Sequence, residues 1–142
     1  MYLDSGPMHL VITSSGEDSA DDNSVNFVVV AKNDTHKTTF TFLGGKDEFL
    51  EFGRKLQDFP FASKKDIGFK TGYWQNSPGE FSITLHLLDL AGRINMRIYS
   101  NDYEGNEAQF SSVVEANALQ RLATSLQTAQ FANFTEHAWS SE

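Results

Sequence analysis

Cysteine is absent from the 142 residues, and proline occurs only three times. Without cysteine there is no disulfide framework, no thiolate zinc site, no iron–sulfur cluster and no thiol nucleophile. No apolar run approaches the roughly 20 residues that a membrane-spanning helix needs, so no membrane span is expected. Cations are scarce: 11 Lys and Arg stand against 19 Asp and Glu, a net charge of −8. A polyanion such as nucleic acid would be repelled on average, because nonspecific nucleic-acid binding rests on basic phosphate contacts. A basic protein partner would be attracted. The first residues, Met1 to Pro7, lack the basic start and apolar stretch of a secretory signal, which predicts a cytoplasmic protein.

Motifs that carry chemistry are missing as well. The four histidines (His9, His36, His86, His137) show no metal-ligand spacing and no HExxH pattern. No GxSxG elbow, SxxK pair, phosphate loop or GxGxxG turn occurs. Glu17 to Asn23 is acidic but lacks the alternating oxygen ligands, central glycine and closing glutamate of an EF-hand loop. No catalytic residue, cofactor or metal is therefore expected, and the chain reads as a binding protein rather than an enzyme. The two Asn-x-Thr triplets at Asn33 and Asn133 are read as coincidental.

Aromatic residues are plentiful, with 12 Phe in the chain. They recur in periodic segments, and a chain this long can bury about 70% of its unfolded surface, so one packed domain over residues 1–142 is expected. Residues 8–13 read as a short strand, 14–24 as a polar loop, and 25–32 with 37–43 as a hairpin about the turn Asn33-Asp34-Thr35-His36. Phe49, Phe52, Leu56 and Phe59 define the buried face of a helix over 46–59, with Gly53 marking close approach to a sheet. A short strand over 66–71 follows. The clearest signal comes next: Phe81, Ile83, Leu85 and Leu87, then Ile94, Met96 and Ile98, alternate with polar residues on either side of a turn near Asp89 to Gly92. A strand near 108–114 and a helix over 115–130, striped by Leu119, Leu122 and Leu126, complete the periodic segments; 131–142 shows no usable period. The order βββ-α-ββββ-α predicts an α+β fold: one mainly antiparallel sheet of six to seven strands with two helices packed on it.

Charge placement gives the candidate partner-binding residues. No Lys or Arg precedes Lys32, whereas Glu17, Asp18, Asp21 and Asp22 fall there. None lies between Arg97 and Arg121, where Asp102, Glu104, Glu107 and Glu115 fall. The expected negative surface is formed by the loops 14–24 and 100–106, with Tyr103 as an aromatic anchor; Trp74, beside Tyr73 in the loop 72–79, is a second candidate anchor. A competing reading makes the chain a small enzyme or ligand-binding domain using the polar face of the 80–98 hairpin, with His86 as acid or base and Arg97 holding an anion; a third is a stand-alone structural or regulatory module.

The segments Phe49 to Pro60, Gly79 to Ile98 and the Leu-rich last helix resemble, as a pattern over about two-thirds of the chain, small immunity proteins of polymorphic-toxin and contact-dependent inhibition systems. The likeness is to the WapI-like type that protects against WapA-like toxins. It implies binding to a cognate toxin domain, often a nuclease, with no catalytic residues to carry over.

Overall fold

In the computed structural model, residues 6–18, 21–45, 47–59, 66–71, 79–129 and 134–142 are described, with the backbone path alone for 15–18, 21–24 and 134. The elements are β1 (His9–Asp18), β2 (Asp21–Lys32), β3 (Lys37–Gly45), α1 (Glu48–Asp58), β4 (Ile67–Thr71), β5 (Glu80–Leu87), β6 (Arg93–Asn101), β7 (Glu107–Glu115), α2 (Ala116–Thr128) and β8 (Phe134–Ser140). The fold is α+β and every strand pair is antiparallel. The strands form two four-stranded sheets rather than one: a first sheet in the order β3-β2-β1-β8 and a second in the order β4-β5-β6-β7.

Each sheet buries one face. Leu10, Ile12, Val25, Phe27, Val29, Phe40, Phe42 and Trp139 come from the first, and Phe69, Phe81, Ile83, Leu85, Ile94, Met96, Ile98, Phe110 and Val114 from the second; all belong to one core. The period-2 alternation of β5 and β6 is that of a half-buried strand, so these positions follow directly from sequence.

Strand β3 and the turn before it join the two sheets. Asn33 donates to the Ser111 carbonyl and the Ser112 hydroxyl of β7 at 3.0 and 3.1 Å. The Thr38 hydroxyl meets that of Ser100 on β6 at 2.7 Å. Phe40 stacks on Phe81 of β5 with ring centroids 5.8 Å apart, and Phe42 lies 6.2 Å from Phe69 of β4. This segment thus visits all four strands of the second sheet in spatial order, so it crosses them steeply, as in orthogonal sheet packing.

The helices fill the space beside that crossing. Phe49 of α1 packs on Phe27 at 5.0 Å edge-on and on Phe69 at 4.6 Å in a stacked geometry. Trp139 of β8 donates its indole N–H to the Ala118 carbonyl of α2 at 3.0 Å. The helices also pack on each other. Gly53 faces α2, where an added Cβ would lie 3.0 Å from the Ala123 carbonyl and 3.1 Å from the Leu126 Cβ. Its close approach is to a helix and not to a sheet. The Gln120 side-chain amide of α2 lies within reach of the Leu56, Gln57 and Phe59 carbonyls at 3.2, 3.3 and 3.4 Å, tying α2 to the C-terminal end of α1, where the Leu56 carbonyl also accepts the Phe59 N–H.

Two further segments differ from expectation. Within the segment 14–24 expected as a loop, residues 14–18 belong to β1 and 21–24 to β2, with Asp18 in register with Asp21. The tail contains β8, which pairs with β1 from Ser15↔Phe134 to His9↔Ser140.

Candidate functional site

The four acidic residues of the first candidate region, Glu17, Asp18, Asp21 and Asp22, occupy the paired end of the β1–β2 hairpin. Asp18 and Asp21 are backbone register partners there. Trp74 lies outside the described residues.

The second candidate region is the turn between β6 and β7, and the two regions do not converge. From Asp21, β2 runs to Ala31, the register partner of Thr38, which touches Ser100 just before this turn. At about 3.3 Å per residue, that stretch of strand is roughly 30 Å long.

The β6–β7 turn is held by one carboxylate. Asp102 Oδ1 accepts from the Glu104 and Asn106 backbone N–H groups at 2.8 and 3.1 Å, and Oδ2 accepts from the Asn106 side-chain amide at 2.6 Å. Its own N–H donates to the Asn106 carbonyl at 3.1 Å. The Asn106 side chain, then the Glu104 and Asn106 amides, hold the Asp102 carboxyl below the ordinary aspartate value of 3.8. Asp102 is therefore an organiser of the turn.

Next to it, Tyr103 adopts φ 60°, the left-handed region that side chains other than glycine rarely enter. Its N–H donates to Asn101 Oδ1 at 2.8 Å. The residue is 66% exposed. Holding a tyrosine in that backbone region costs about 1–2 kcal/mol, and the turn's hydrogen bonds offset it. The result is a large aromatic side chain fixed at its base and presented to solvent, beside the exposed Glu104 and Glu107.

Glu107 accepts from the Tyr99 hydroxyl at 3.1 Å and from the Asn101 amide at 3.3 Å, and Asn101 is in register with both Glu107 and Glu80. The Asn101 amide, the largest influence, draws the Tyr99 phenol downward. Partial desolvation and the Glu107 and Glu80 carboxylates outweigh it and leave the phenol above 10.0.

Further along the outward face of the second sheet, His86 Nδ1 lies 2.7 Å from Asp66 Oδ1, with both side chains more than half exposed. His86 is in register with Asn95, and Arg97 with Thr84 and Ser111, so His86 and Arg97 are diagonal neighbours. They face different partners. With the Gln109 amide oxygen turned toward β6, Arg97 donates to it from Nη2 at 2.9 Å and from Nε at 3.0 Å. An open groove of about 490 Å³ is lined by Gly68, Lys70, Glu80, Ser82, Thr84, Arg97 and Tyr99, without His86. Among the described residues, no three His, Asp or Glu side chains are grouped to hold a metal ion, and no helix is long and apolar enough to cross a membrane.

Sequence reasoning missed Asp66, Gln109 and Gly68. Asp66 and Gln109 act through partners on other strands, and Gly68 matters because the Ile83 backbone carbonyl of β5 passes close to it. The Asn-Asp-Tyr-Glu-Gly composition of 101–105 did signal a turn, though not that Asp102 would be consumed by it. No family model, curated protein or solved structure matches the chain.

Proposed function

We propose that this chain is an immunity-type protein that acts in the cytoplasm by binding and neutralising a toxin domain, and that it does so without catalysis. The observation that carries this reading is Tyr103, exposed and set in a strained backbone by a turn wired through Asp102. A rigid aromatic anchor loses little freedom on binding, which favours affinity. The carboxylates of Glu104, Glu107 and Glu80 around it suit a basic partner. In a chain of net charge −8 they would also speed encounter with one. A nuclease domain, basic because it must hold phosphates, fits that description. The acidic end of the β1–β2 hairpin adds to long-range attraction from a separate position.

The test is co-expression of this chain with a toxin domain encoded beside its gene. Restored growth and a one-to-one complex that weakens with salt support the reading. A neighbouring gene that encodes no toxin, or a toxin that is neither bound nor neutralised, overturns it.

A further inference from the structure

We propose that the groove on the outward face of the second sheet is a binding site for a small molecule carrying an oxyanion, a carboxylate or phosphoryl group, held at Arg97. This goes beyond the toxin-binding reading and does not depend on it.

The floor of the groove is built from small residues at consecutive register positions. Gly68 opposes Thr84, which opposes Arg97; Lys70 opposes Ser82, which opposes Tyr99. Gly68 is sterically required, since a Cβ there would stand 2.8 Å from the Ile83 carbonyl. Ser82 and Thr84 bring hydroxyls to the floor, while Arg97, Tyr99 and Lys70 form the sides. A groove of about 490 Å³ is in the range that holds a small organic ligand, roughly 300–1,000 Å³.

Arg97 sets the chemistry. A guanidinium has five N–H donors in a fixed plane. Gln109 takes the Nε hydrogen and one from Nη2. This leaves three hydrogens, of which one on Nη1 and the second on Nη2 form the end-on pair whose spacing matches two oxygens of a carboxylate or phosphoryl group. The Gln109 clamp also fixes the plane in advance, so less side-chain freedom is lost on binding. At the other end of the groove Glu80 offers an acceptor. It lies four residues from Thr84 on β5, roughly 13 Å away. The ligand thus presents its oxyanion to Arg97 and a hydrogen-bond donor toward Glu80. His86, bonded to Asp66 and outside the lining, takes no part.

The experiment is an amide NMR titration of the whole chain with inorganic phosphate, with acetate and with choline chloride at constant ionic strength. Expected are saturable shifts at Gly68, Ser82, Thr84 and Arg97 with at least one of the two oxyanions and none with choline chloride. Stronger binding of phosphate identifies a phosphoryl ligand, and stronger binding of acetate a carboxylate. Arg97→Gln should weaken binding about tenfold or more, and Gln109→Ala should weaken it less while leaving the circular dichroism spectrum unchanged. No saturable shift at millimolar oxyanion, or equal shifts in Arg97→Gln, overturns the proposal. A chain that fails to bind any toxin leaves these titrations unaffected, so the two readings fail separately.

Discussion

Asn33 and Ser112, 79 positions apart in sequence, are joined by a 3.1 Å hydrogen bond that ties the turn of the first sheet to the last strand of the second. The same amide nitrogen also reaches the Ser111 carbonyl, and the amide oxygen accepts from the Thr35 and His36 backbone N–H groups at 3.0 Å each. Asn33 is therefore occupied on both sides.

Asn33→Asp should cost about 2–3 kcal/mol, because a carboxylate keeps the turn's acceptor but sets a second oxygen against the Ser111 carbonyl. Urea unfolding checks this through a lowered midpoint at constant slope. A change within about 0.5 kcal/mol, as for ordinary surface substitutions, would mean that the two sheets do not depend on this link.

Tyr103 should show stability and binding pulling in opposite directions. Tyr103→Gly relieves the left-handed backbone, so the melting temperature should hold or rise slightly, corresponding to up to about 1 kcal/mol. Binding to the partner should weaken at least about tenfold, the usual loss for an aromatic anchor. Calorimetry of both properties on one variant checks it. A variant that melts lower and binds normally would contradict both halves.

The pH dependence follows from Asp102 and Asp89. Asp102 is held down first by Asn106 and then by backbone amides; Asp89 is held down first by the Arg93 side chain, 2.6 Å away, and then by its backbone N–H. A carboxyl whose folded pKa lies below its unfolded value near 3.9 stabilises the fold above that value. Its contribution is lost as pH falls through the lower, folded value. Below about pH 4 the β5–β6 and β6–β7 turns should loosen before the core. Carboxyl-carbon NMR should place both midpoints below 3.8, and Asp102→Asn should remove the acid-sensitive step at the second turn alone. Tyr99 runs the other way: its raised phenol favours the fold below the ordinary value of 10.0 and loses that effect as pH climbs through the higher one.

Gly53→Val should destabilise by about 1–3 kcal/mol through overpacking against α2. The clash with the Ala123 carbonyl is with backbone and cannot be relieved by rotating a side chain. Thermal unfolding that rises instead, as helix propensity alone would suggest, would show that the helices separate readily.

Particular residues show what could be read in advance. The 80–98 hairpin was legible because its inward positions are apolar and its outward ones polar, and burial follows that alternation position by position. Strand β8 was not, because its inward positions include Thr135 and His137, whose partners, Ser14 and Ser125, are 121 and 12 positions away. The polar ends of β1 and β2 escaped for a related reason: backbone pairing holds them, and backbone pairing leaves no trace in side-chain pattern. Alternation also reports that a face is buried without saying against what. That is why two sheets read as one, and why Gly53 was assigned to the wrong neighbour. At the candidate site, the acidic aromatic turn was legible from composition, while the clamp on Arg97 depends on a side chain from another strand.

The pairing of β1 with β8 bears on how the chain is made. During synthesis β1 emerges with its β2 neighbour, but the strand that covers its other edge follows α2. Until residues 134–140 leave the ribosome, β1 offers an unpaired edge, the kind of surface on which chains aggregate. A nonsense mutation or proteolytic cut before Phe134 would therefore do more than trim a tail. It would turn an interior strand into an exposed one and favour insoluble product over a shortened, working protein.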